Sequence, residues 1–257
     1  MLRLSKVLPL SFALATLAFA ALTIFVSCTS GNTTQARFIN GISDASSLDI
    51  EVNGTREFSS IGFGQASGST YAAIPAGTDA IQGFAAGTTT VAFQGQNVPL
   101  NAGSQYTLVA AGLLTGNVNI LHPVDNNTQP TVNTTSFRVI NASSFGPGGG
   151  GGAADIYILP NPVVGNISQF KPTITNLSYG ATSSYANQTD NSNTEGYTMY
   201  VTPTGNPTPT FSVGLNNVGT TTIGAICTLV LTDQANGSAM SQIPVALDDL
   251  NCSGVLH

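Results

Sequence analysis

Arg37-Phe38-Ile39-Asn40, followed by Leu48-Asp49-Ile50-Glu51-Val52, returns later in the chain as Arg138-Val139-Ile140-Asn141 followed by Ala154-Asp155-Ile156-Tyr157-Ile158. Each block is short and rich in β-branched and aromatic residues, which suits strands and not helical turns. The correspondence extends outward in the same order. Ile61-Gly62-Phe63-Gly64 and Tyr71 align with Leu177-Ser178-Tyr179-Gly180 and Tyr185, and Tyr106-Thr107-Leu108-Val109 aligns with Cys227-Thr228-Leu229-Val230. The exits agree too, with His122-Pro123-Val124-Asp125 against Ile243-Pro244-Val245 and the acids Asp248-Asp249. Ordered self-similarity of this kind marks two copies of one module.

In the first copy, strands are predicted over residues 36–40, 48–52, 71–74, 80–84, 89–93, 106–112 and 117–121. Turn clusters separate them, among them Asn53-Gly54, Pro75-Ala76-Gly77-Thr78 and Asn101-Ala102-Gly103-Ser104. Short strands at this spacing predict an all-β fold of two tandem immunoglobulin-like Greek-key β-sandwich domains; a small barrel fits the same pattern. The chain has no Trp and its first copy no Cys, which excludes an antibody-type core.

Arg-x-Ile-Asn, the Asp-centred strand, Gly-aromatic-Gly, Ile74-Pro75-Ala76-Gly77 and Gly103-Ser104-Gln105-Tyr106-Thr107-Leu108-Val109 together resemble the bacterial domain-of-unknown-function family 4397. The first copy is similar across nearly its whole length. The second departs through a glycine insertion before Asp155 and a longer, Pro-rich middle. The resemblance implies exported, β-rich envelope proteins, commonly lipid-anchored and often in tandem copies, without an established activity.

The chain opens with Arg3 and Lys6 and then an uncharged apolar run over residues 7–26, the layout of an export signal. That run closes on Phe25-Val26-Ser27-Cys28, which resembles the bacterial lipobox, although Phe25 stands where an aliphatic residue is usual. Cys28 is therefore the expected lipidation site: its thiol takes diacylglycerol, and two acyl chains hold a protein on a membrane where one does not. An uncleaved anchor is the alternative, since about 20 apolar residues span a bilayer, and ordinary cleavage is another. All three place the remainder outside the cytoplasm. Thr29 after the cysteine resembles the outer-membrane sorting pattern of Gram-negative lipoproteins. The expected organisation is a signal peptide over residues 1–27, a tether over 28–34, the first sandwich over 35–126, a linker over 127–135 and the second sandwich over 136–257.

Beyond the signal, Arg37, Arg56, Arg138 and Lys171 are the only basic residues against twelve acids, which excludes nucleic acid as a partner. Charged residues make up 7% of the chain, against about 25% in ordinary soluble domains; solubility falls to Thr, Ser, Asn and Gln. With Cys28 assigned to lipid, Cys227 and Cys252 remain as an even pair in an oxidising compartment, and a disulfide between them is expected.

Chemistry-bearing motifs are few. The glycine run Gly146-Pro147-Gly148 to Gly152 is followed by no Gly-Lys-Ser or Gly-Lys-Thr and reads as a long hairpin loop, not a phosphate loop. His122 and His257 are the only histidines, and no Gly-x-Ser-x-Gly elbow accompanies them. Neither Cys227 nor Cys252 has a second ligand at zinc spacing. Asp44, Asp49, Asp155, Asp248 and Asp249 are candidates for calcium or for a glycosidase pair. Asp49 and Asp155 hold equivalent repeat positions, so the favoured reading pairs them with Arg37 or Arg138 on neighbouring strands. No catalytic residue, metal or cofactor is expected. The expected function is a non-catalytic binding or scaffolding module of the cell envelope, with the membrane, an envelope protein or a glycan as partner. Tyr71, Tyr179, Tyr185, Tyr197 and Tyr200 would supply aromatics for glycan recognition unless they are core. A structural or adhesive protein and a carboxylate-based glycan-processing enzyme are the alternatives.

Overall fold

The computed structural model describes residues 32–190, 196–216, 224–235, 238–240, 245–252 and 255–256. Cys28 and His257 lie outside the described residues, as do the signal and all but the last residues of the tether. The first sandwich is built from β1 (Thr33–Ile42), β2 (Ser47–Val52), β3 (Thr55–Gly62), β4 (Ala72–Pro75), β5 (Gly77–Ala85), β6 (Val91–Leu100), β7 (Gln105–Gly112) and β8 (Val118–Leu121). They form two four-stranded sheets, in the orders β4-β1-β7-β8 and β3-β2-β5-β6. The β1 strand runs parallel to β7, with Arg37 opposite Thr107; every other pairing in the module is antiparallel.

Local chemistry explains the joints. Asn53 and Gly54, at φ 51° and 80°, make the two-residue turn from β2 to β3, the positive-φ geometry that matches strand twist in a tight hairpin. Asn53 also accepts from the Ala80 N–H and donates to Asp79, tying the turn to β5. Gly83 is required for another reason: a Cβ there would lie 2.1 Å from the Phe93 ring, which covers it from β6. Phe38, Leu48, Ile50, Phe58, Ile81, Phe93 and Leu108 fill the space between the sheets.

The second sandwich repeats this plan. Its strands are β9 (Thr134–Asn141), β10 (Ala154–Pro160), β11 (Ile174–Leu177), β12 (Ala186–Thr189), β13 (Gly196–Pro203), β14 (Phe211–Asn216), β15 (Ala225–Leu231), β16 (Asp233–Gln234), β17 (Ser238–Met240), β18 (Val245–Leu250) and β19 (Val255–Leu256). One sheet is β12-β9-β15-β18, strand for strand the counterpart of β4-β1-β7-β8. The other, β11-β10-β13-β14-β19, matches β3-β2-β5-β6 with one strand added. Again the first strand runs parallel to the seventh-strand equivalent, with Arg138 opposite Thr228. Its core gathers Phe137, Ile156, Tyr197, Met199, Val213 and Leu229. The expected disulfide is present: Cys227 on β15 is bonded to Cys252, with Cα atoms 5.4 Å apart, where the chain leaves β18 for β19.

Two sequence expectations change. The first sandwich has eight strands, not seven, because residues 55–62 form β3; its inward residues Phe58 and Ile61 are three apart, since the β2–β3 register shifts and Ser60 sits at φ 55°. That bulge erases the alternation on which strand reading depends. The glycine run is not a hairpin loop either. It joins β9 to β10, which lie in different sheets, so it is an arch across the sandwich, containing a single 3-10 turn at Pro147–Gly149. Strands β1 and β9 also begin within the stretches read as tether and linker.

Candidate functional site

The repeated Arg-x-Ile-Asn motif now acquires a role residue by residue. Side chains alternate across a strand, so Phe38 and Val139 face their own sandwich cores, while the residues on either side face outward. Asn40 and Asn141 stitch the arches: Asn40 donates to the Ala45 and Ile61 carbonyls and accepts from the Ile42 N–H, and Asn141 donates to the Leu177 carbonyl and accepts from the Ser143 N–H. Ile39 and Ile140 meet one another's modules. With Val109, Ala111 and Leu121 from the first sandwich and Ala142 and Val230 from the second, they form a separate buried cluster between the two Arg-bearing sheets.

Beside that cluster lies a reciprocal set of charges. Arg37, fully buried, donates Nε to Thr107 Oγ1 at 3.0 Å and Nη2 to Asp249, beyond the middle of β18 in the other module. Arg138, also buried, donates Nε to Thr228 Oγ1 at 3.1 Å and Nη2 to Asp125 of the first module at 2.6 Å. The threonines repeat the pattern, Thr107 donating to Asp125 at 2.7 Å and Thr228 to Asp249. Tyr71 and Tyr185 cover the guanidinium groups, each with Cζ 5.0 Å from the ring centroid. Each module thus lends an aspartate to the other's arginine. Asp125 is shared further: its carboxylate lies 3.7 Å from Arg37 Nη2 and accepts from the Tyr71 hydroxyl at 2.6 Å. Two further bonds cross the junction, from Arg138 Nη1 to the Val124 carbonyl at 2.9 Å and from the Asn126 N–H to the Tyr185 hydroxyl at 3.2 Å.

The environment biases protonation in predictable directions. Burial pushes the Asp249 carboxyl above its ordinary value, against the pull of Arg37 and the Thr228 hydroxyl. Burial also raises the Tyr71 and Tyr185 hydroxyls, which therefore stay neutral and act as donors or acceptors. These groups hold the modules together by charge and hydrogen bonding, with the side chains of both arginines, Asp125 and Asp249 buried.

The favoured sequence reading of Asp49 and Asp155 is overturned. Neither reaches Arg37 or Arg138. Asp49 pairs with Arg56 at 3.0 Å and accepts from the Ser60 and Gly87 N–H groups, which hold its carboxyl below the usual carboxylate value. Asp155 accepts from the N–H groups of Asn176 and Gly205. Both brace turns, because the arginines face the other module while these acids sit in the opposite sheet. Asp44 caps Leu114 and Thr115, and the side chain of Asp248 is outside the described residues. Asp233, not singled out by sequence, ties down the start of the glycine arch through Ser143, Ser144 and Phe145.

The tyrosines divide. Tyr197 is core and bonded to Asp190, Tyr71 and Tyr185 lid the arginines, and Tyr179 is partly exposed. His122 contacts the Ile120 carbonyl at 3.3 Å. Among the described residues no group of three His, Cys, Asp or Glu side chains is placed to hold a metal, and no helix is long and apolar enough to cross a membrane.

Residues 34–148 match the family model described as Domain of unknown function (DUF4397), as the motifs of the first copy led us to expect. The match runs through β1–β8 and on through β9, the strand that carries Arg138. No curated protein matches the chain.

Proposed function

We propose that this chain is an exported, lipid-anchored envelope protein whose two sandwiches act as one rigid, non-catalytic platform for binding or scaffolding. The observation that carries the reading is the reciprocal pairing of Arg37 with Asp249 and Arg138 with Asp125. It commits four buried charged groups to joining two modules in a fixed relation. Every aspartate whose side chain is described accepts a hydrogen bond, from a turn, a hydroxyl, an amide or an arginine. That distribution favours a structural use of the acids over a glycosidase pair, which needs two carboxylates converging on a cleft.

The disulfide supports the compartment, since such bonds persist where the environment is oxidising. It also leaves Cys28 as the one cysteine of the chain outside the pair. The test is metabolic labelling with a palmitate analogue in a bacterial host. The wild-type chain should take up label and lose the mass of residues 1–27, and Cys28→Ser should do neither. An unlabelled wild-type chain at full precursor mass would overturn the anchor.

A further inference from the structure

A cleft of about 660 Å³ opens at the start of the parallel β1–β7 pair, where the chain leaves the first sandwich. Its polar lining comes from Thr33, Gln35, Gln105, Asn126, Asn127 and Thr128. The amides form a ladder: Gln105 Nε2 donates to Gln35 Oε1 at 2.7 Å, and Asn127 Nδ2 donates to Gln105 Oε1 at 2.8 Å and to the Tyr71 hydroxyl at 3.1 Å. Among the described residues Asp125 is the only ionisable side chain in the lining, and its carboxylate is already engaged by Thr107, Tyr71 and Arg138. The cleft is therefore polar yet offers no uncompensated charge. Asn127 Oδ1 receives no hydrogen bond among the described residues, but it lies beneath the lining, with no surface open to the cleft.

We propose that this cleft binds a neutral saccharide. A side-chain amide carries a donor and an acceptor side by side, which matches the hydroxyl pairs of a sugar ring. The absence of free charge disfavours anionic or cationic ligands, for which a paired counter-charge would be needed. The volume lies within the ordinary range for small-molecule sites. Recognition here runs through amides: of the tyrosines that composition offered for stacking, Tyr71 and Tyr185 lid the arginines and Tyr197 is core. Residues 124–128 line the cleft and also join the modules, so an occupant touches the segment that holds the clamp. The assignment rests on the binding reading above and narrows it to one ligand class.

The test is titration of the full chain in detergent with neutral oligosaccharides of glucose, galactose and N-acetylglucosamine, alongside an oligogalacturonate control, read by amide NMR shifts. Saturable shifts confined to residues 33–35, 103–105 and 124–128 are expected from at least one neutral sugar and not from the acidic one. Gln35→Ala, an exposed position, and Asn127→Ala should each weaken that binding about tenfold or more. Absence of shifts with every neutral sugar, or affinities that both variants leave unchanged, would overturn the assignment. A pull-down from envelope extract separates the two claims: a protein partner captured by a chain that ignores sugars would sink the saccharide site and leave the platform standing.

Discussion

Asp125 is the residue on which most of the junction depends. It accepts from Arg138, Thr107 and Tyr71, and lies within 3.7 Å of Arg37 as well. A buried ion pair is not in itself strong evidence for stability, because desolvation offsets its attraction, but removing one partner strands the other charge. We therefore expect Asp125→Ala to cost about 3–5 kcal/mol in urea unfolding. Replacing Asp125 and Arg138 together by apolar residues should recover much of that loss. Asp49 makes a contrasting case. Its pKa is held below the ordinary 3.8, chiefly by the Gly87 and Ser60 N–H groups, so its contribution is present above the unfolded-state value and lost as pH falls through the folded-state one. Asp49→Asn should thus destabilise by about 2 kcal/mol at neutral pH. The gap between variant and wild type should close only below pH 3.8; a gap constant down to pH 2 would contradict the assignment.

Elements show where the sequence was readable and where it was not. Strands with intact alternation or long apolar runs, such as β1, β2, β7 and their counterparts, declared themselves, and their repetition predicted that two modules would share one plan. The β3 strand did not, because its bulge at Ser60 breaks the period and its exposed residues include Arg56 and Glu57. The arginine clamp was half visible: repetition singled out Arg37 and Arg138, and the exits singled out Asp125 and Asp249, but no local rule joins residues 212 apart. Equivalent positions in the repeat pointed to Asp49 and Asp155 as the partners, but both lie in the other sheet of their sandwich. The disulfide was legible once Cys28 was assigned to lipid, which leaves an even pair in an oxidising compartment. It closes a separation of 25 residues and holds the exit of β18, the strand that brings Asp249 to Arg37. Loop-closure entropy puts its worth at about 3 kcal/mol. Cys252→Ser, with Cys227→Ser to avoid a free thiol, should lower the urea midpoint accordingly. On β5, Gly83→Ala should cost about 1–3 kcal/mol through overpacking against Phe93 and be relieved by Phe93→Leu, a rescue that a backbone effect alone would not permit.

At the scale of the whole molecule, the pairing of the two sandwiches decides how the protein unfolds. Each module has its own core, so each has the means to melt by itself. Yet the outward faces of β1, β7, β9 and β15 carry an apolar cluster, and each module's buried arginine makes its closest carboxylate contact in the other module. Loss of either sandwich would strip the survivor's buried guanidinium of its closest carboxylate, a penalty large against the few kcal/mol that separate folded from unfolded domains. The two should therefore melt as one cooperative unit despite their separate cores. Calorimetry of the intact chain should show a single transition with calorimetric and van't Hoff enthalpies in agreement. Asp125→Ala removes the carboxylate that reaches both arginines, and should lower the first midpoint by about 10 °C and divide the transition in two. The apolar cluster alone would hold the modules together if it dominated the junction. In that case the variant would melt lower but still as one unit, and the clamp would have to be demoted from the coupling element to an ordinary buried pair.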